Sequence, residues 1–159
     1  MSEKQGTPLI SQLLATWIEG ESSQSYAVTN YANAAAILFQ NMSVLNWVGF
    51  YLFDDVNNVM SLGPFLGKPA VALISPDNGV VGKAFSSQQT IVVEDVHQFP
   101  GHIVCDTDSN SEIVIPITTT DGRQIGVLDI DSPELNRFSR QDQADLEDFV
   151  RTLLPYITA

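Results

Sequence analysis

The sequence predicts an α+β domain whose terminal helices pack on one face of a mainly antiparallel sheet. Three observations predict it. Apolar residues recur at helical spacing near both ends of the chain. Runs rich in β-branched and aromatic residues fill the middle. Hairpin signals, not long crossovers, join those runs. The 159 residues, 44% of them hydrophobic, read as one domain over residues 1–159, long enough to bury a core.

The elements follow in order. "PLISQLLATWIE", residues 8–19, puts Leu9, Leu13, Leu14 and Trp17 at helical spacing. After the Gly-Ser stretch "GESSQS", the segment "YAVTNYANAAAILFQNM" reads as a second helix. Tyr31, Ala34, Ala35, Leu38 and Phe39 share its inner face. From residue 46 the period changes. "NWVGFYLFDD" reads as a strand ending in a turn at Asp54-Asp55, and "NVMSLGPFLG" as its return. "PAVALISP" is a third short apolar run, "NGVVGKAFSSQQ" a loop feeding a short helix, and "TIVVEDV" another strand. "SEIVIPITTTDGRQIGVLDIDSP" gives two strands around Asp121-Gly122, a strong hairpin signal. "SRQDQADLEDFVRTLLPYI" closes the chain as a helix. Ser139 reads as its N-cap, Asp142 as N3, and Leu146, Phe149, Val150 and Leu153 as its apolar face.

Charge and cysteine usage exclude several functions. Seven basic and nineteen acidic residues give a formal charge of −12. No basic stripe exists to bind nucleic acid, and an anionic membrane surface is disfavoured. No apolar run approaches the length of a membrane span, and no secretory signal pattern opens the sequence, so a reducing cytoplasm is expected. A single cysteine, Cys105, can neither form an internal disulfide nor complete a cysteine-rich zinc site. "NGVVGKAF" lacks the spacing of a phosphate loop, and no cofactor or metal is implied.

Cys105 lies in a polar loop, "HQFPGHIVCDTDSNS", beside Asp106, Asp108 and Glu112. Carboxylates raise a thiol's pKa, so the placement calls for a reason. His97 and His102 flank "QFPG" without metal-ligand spacing and read as surface or loop residues. His102, three residues before Cys105, could also assist a thiolate. Asp129 and Asp131 are two apart on a strand and share a face. They are either a solvated strand end or a pocket that holds a cation or a proton. A divalent metal between them is the weaker form of that second reading. With the turn at Asp121-Gly122, Glu112 joins them at the open end of the hairpin, and three carboxylates then cluster near the thiol. Trp47 and Tyr51 also share a strand face, as core packing or as the wall of an apolar pocket.

"NWVGFY", "LGPFLGK", "EDVHQFPGHIVCD", "SNSEIVIPI" and "IGVLDIDS" together resemble, in order, the signature blocks of the free methionine-(R)-sulfoxide reductases. These are single-domain GAF-fold enzymes, and the resemblance runs from about Asn46 to Ser132. It implies a GAF-like fold with terminal helices on one face of the sheet and a ligand pocket under loops on the other. It implies free methionine-(R)-sulfoxide as substrate. Cys105 matches the cysteine that attacks the sulfoxide sulfur. Glu112, Asp129 and Asp131 match the pocket carboxylates, and Trp47 and Tyr51 the pocket aromatics. Many members of that family carry two further cysteines, at the places of Val71 and Val81 here. The expected cycle is therefore a one-cysteine reduction through a sulfenic acid, reset by an external thiol. A homodimer is compatible with it. The alternatives are a GAF sensory module that binds a small molecule without chemistry, and a structural or dimerisation domain.

Overall fold

The computed structural model describes residues 6–20, 26–102 and 106–158. Two helices open it: α1 (Leu9–Gly20) and α2 (Ala27–Asn41). The hairpin β1 (Trp47–Asp54) and β2 (Val59–Leu66) follows, then the two-residue strand β3 (Leu73–Ile74), helix α3 (Gly79–Ser87) and strand β4 (Ile91–Val93). A 3₁₀ turn at Val96–Gln98 leads into the polar loop. The long hairpin β5 (Ser111–Thr118) and β6 (Gln124–Ser132), helix α4 (Arg140–Leu153) and a 3₁₀ turn at Leu154–Tyr156 complete the order. The sheet has six strands in the order β3-β2-β1-β6-β5-β4, and every neighbouring pair is antiparallel.

Strand alternation divides the apolar residues between two cores. Val48, Phe50, Ile113, Ile115, Leu128 and Ile130 face α1, α2 and α4, where Leu14, Leu38, Leu146, Phe149 and Leu153 cover them. The opposite face carries Trp47, Tyr51, Val114 and Val127, packed against Met60, Ile74 and the Val80, Ala84 and Phe85 side of α3. The long helices thus seal one face, and a short helix and loops close the other. This is the expected α+β architecture.

Two helix faces differ from the sequence reading. In α1 the buried stripe is Ile10, Leu14 and Ile18, whereas Leu9 and Trp17 are 66% and 53% exposed. Both stripes are apolar at i, i+4 spacing, and packing on α4 and α2 selects one. In α2 Ile37 is buried and Phe39 faces outward. The run "PAVALISP" contributes only the two residues of β3.

Candidate active site

The pairing of β1, β6 and β5 builds the site. Trp47 pairs with Asp131, and Asp131 with Glu112, which in turn pairs with Val93 of β4. Asp129 lies one pleat along, between Gly49 and Val114. One row across four strands therefore carries an indole and two carboxyls, and the third carboxyl is its neighbour on the same face. The hairpin register inferred from Asp121-Gly122 is the one observed.

Glu112, Asp129 and Asp131 are buried. Each offers an oxygen within 4.8 Å of the others. Burial, then the charge of Asp131, pushes the Glu112 carboxyl up to about 8. Burial, then Glu112, raises Asp129 well above its ordinary value, and burial, then Asp129, does the same for Asp131. Hydrogen bonds link Glu112 to both aspartates, which requires protons among them. Glu112 Oε1 and Asp129 Oδ1 accept no hydrogen bond from any described residue. At neutral pH the trio is a store of protons facing a cavity, not a solvated strand end. The same oxygens could bracket a cation, and an ammonium group suits that charge as well as a metal does.

The cavity encloses about 30 Å³ of free space, and the three acids share its lining with Tyr51, His102 and Asp106. Val81 of α3 completes its apolar side. Cys105 lies outside the described residues. The described positions flanking its segment, His102 and Asp106, both line the cavity.

Trp47 and Tyr51 are buried and stacked, with ring centroids 6.2 Å apart. Tyr51 lines the cavity directly. The Trp47 ring instead lies against Phe65 at 5.3 Å and folds over Gly49. A Cβ on Gly49 would meet that indole at 2.6 Å, so only glycine admits it. Both aromatics also use their polar tips. Trp47 Nε1 donates to the Lys68 carbonyl at 3.0 Å, and Tyr51 Oη to the Val71 carbonyl at 2.8 Å. They pin the loop between β2 and β3 to the sheet.

Several contributors escaped the sequence reading. Asp106 is buried, and the Asp108 N–H, with Asn46 and Lys68, holds its carboxyl below the usual carboxylate range. Lys68 Nζ bridges Asp106 and Asp108 at 3.2 and 3.1 Å. Asn46 Nδ2 donates to Asp106 and to Ser109 Oγ, while its N–H donates to the Asp131 carbonyl. The loop following Cys105 is thereby fastened to the start of β1. The pattern Asp-x-Asp-Ser, an Asx-turn signal, was the available clue. His102, read as a surface or loop residue that could assist a thiolate, has a side chain only 13% exposed, with Nε2 3.6 Å from Glu112 Oε1. Burial lowers its pKa.

Comparison with known proteins agrees with this geometry. The GAF domain family model matches residues 32–153. The chain is 45% identical over 122 residues to the free methionine-R-sulfoxide reductase of Escherichia coli (strain K12), covering 77% of this chain and 72% of that protein. It is 37% identical over 150 residues to the free methionine-R-sulfoxide reductase of Saccharomyces cerevisiae, covering 91% and 83%. The solved structure of the Staphylococcus aureus fRMsr in complex with its substrate superposes with a TM-score of 0.86 at 41% identity, covering 98% of each chain. Two relatives matched over most of their length, and a solved structure matched over nearly all of it, carry that same name. The chain belongs to the GAF-domain family of free methionine-R-sulfoxide reductases.

Proposed function

We propose that this chain reduces free L-methionine-(R)-sulfoxide to methionine, with Cys105 as nucleophile and an external thiol as reductant. The observation that carries the reading is the trio of buried, proton-holding carboxyls in a cavity also lined by His102 and Asp106, the described residues on either side of Cys105 in the sequence. A sulfoxide oxygen leaves poorly until protonated. Glu112, kept neutral at pH 7, supplies that proton. Asp129 and Asp131 accept the substrate's ammonium group, ionising as the cation arrives. Tyr51, with Trp47 beside it, faces the apolar methyl and thioether end.

The electron count closes. The Cys105 sulfur attacks the sulfoxide sulfur, whose S–O bond breaks as the oxygen moves to the cysteine. Methionine is reduced and leaves, and Cys105 is oxidised to a sulfenic acid. One external thiol condenses with it, releasing water and leaving a mixed disulfide. A second thiol exchanges that disulfide and restores the free cysteine.

The test supplies the R and S epimers of free methionine sulfoxide separately, with a small thiol, and measures methionine. Release from the R epimer alone is expected. Cys105→Ser is expected to lose that activity and keep sulfoxide binding. Binding without methionine release from the wild-type chain would instead support a ligand-sensing GAF module.

A further inference from the structure

Glu112 keeps one carboxyl oxygen, Oε1, without a described hydrogen-bond partner, although its side chain is only 6% exposed. The polar atom facing it is Nε2 of His102, 3.6 Å away. That separation exceeds a hydrogen bond and leaves no room for a water between the two. Catalytic hydrogen bonds are often long in a resting site and tighten when charge develops. An imidazole N–H drawn toward Glu112 would shorten this contact once the carboxyl has given up its proton.

We propose that His102 is the positioning residue that returns a proton to Glu112 after each turnover, a role that rests on the reduction proposed above. The other charged groups around Glu112 cannot serve. Asp129 and Asp131 on β6 are themselves buried acids holding protons. Asp106 is ionised and committed to the Asp108 N–H, Asn46 and Lys68. Lys68 is engaged by Asp106 and Asp108. Among the described residues lining the cavity, His102 is the one base.

The path runs from water inward, because the His102 side chain is 13% exposed against 6% for Glu112. Proton affinities rise along the same path. Burial lowers that of the imidazole, and burial raises that of the carboxyl. A proton captured by His102 therefore moves downhill to ionised Glu112. Over one cycle Glu112 gives a proton to the sulfoxide oxygen, the Cys105 thiol releases one to solvent, and His102 restores one to Glu112. No net proton is consumed.

The full chain tests this with His102→Ala and His102→Gln. Both are expected to lower kcat on the order of 10²-fold with little change in KM. Glutamine keeps a polar group there but cannot pass a proton through a ring. Free imidazole is expected to restore much of the rate to His102→Ala, a response that lost packing would not give. Infrared spectroscopy after a pH drop reads the same transfer without turnover. The carboxyl band that disappears in Glu112→Gln is expected to form more slowly in both His102 variants. Equal protonation rates in the wild type and the variants overturn the relay even where reductase activity holds. So does full activity in His102→Gln. A wild type that releases no methionine removes the reductase reading and leaves the infrared rates to decide the relay. If His102→Ala does not fold, His102→Gln carries both measurements.

Discussion

At the scale of single residues, Glu112 makes the protein's stability depend on pH. Its carboxyl holds a proton up to about pH 8 when folded, against a reference of 4.5. Between those values the folded chain binds a proton that the unfolded chain has released. Stability therefore falls as pH rises through that window, by up to ~1.4 kcal/mol per pH unit from this group, and levels off above it. Asp129 and Asp131 act in the same direction. Glu112→Gln is expected to flatten the pH dependence measured by urea denaturation and to be at least as stable as the wild type at pH 8. Its turnover is expected to fall by ~10²–10⁴-fold. Gly49→Ala places a methyl against Phe65 Cβ and 2.6 Å from the Trp47 ring. It is expected to cost ~1–3 kcal/mol by overpacking and to shift the Trp47 fluorescence, read in a Trp17→Phe background. The three acids were legible because strand alternation and one turn signal fix which face they share. His102 was not, because its burial depends on how an irregular loop folds back, and no periodicity reports that.

At the scale of elements, α4 was the most legible. Ser139 Oγ accepts from the Asp142 N–H at 3.0 Å, and Asp142 Oδ2 accepts from the Ser139 N–H at 2.8 Å, the capping box its sequence announces. Arg137 adds a bond from Nη1 to Asp142 at 2.9 Å. Ser139→Ala is expected to lower stability by ~1 kcal/mol in chemical denaturation. Turnover is expected to stay unchanged, because α4 packs on the sheet face opposite the cavity. A twofold or larger loss of kcat would show that the two faces are coupled. Helix α1 was legible as a helix and misread as a surface. Its sequence carries two apolar stripes one residue apart, and only the packing of α2 and α4 chooses between them. The apolar run after β2 pairs over only the two residues of β3. The carbonyls at Lys68 and Val71 pair with Trp47 and Tyr51 side chains, a long-range arrangement that leaves no mark in local sequence.

At the scale of the whole molecule, one cysteine among 159 residues decides how the proposed cycle resets. One turnover without added thiol is expected to leave a sulfenic acid that a dimedone-type reagent traps, and a monothiol is expected to restore cycling. Val81 lines the cavity. Provided its Cα comes within about 7 Å of that of Cys105, Val81→Cys is expected to close an internal disulfide and to raise turnover with a dithiol reductant, measured against the parent chain. Equal rates in the two would mean that the resolving step does not pass through this wall. The antiparallel pairing was readable from the hairpin signals, and the alternation of the strands sorts the apolar residues between two cores. That alternation has a consequence for folding itself. A slip of β5 against β6 by one position would turn Glu112, Asp129 or Asp131 into the helix-packed layer, where only aliphatic and aromatic side chains wait. Misaligned hairpins are thus penalised by the same acids proposed to carry the chemistry, so the site proofreads the strand pairing that creates it.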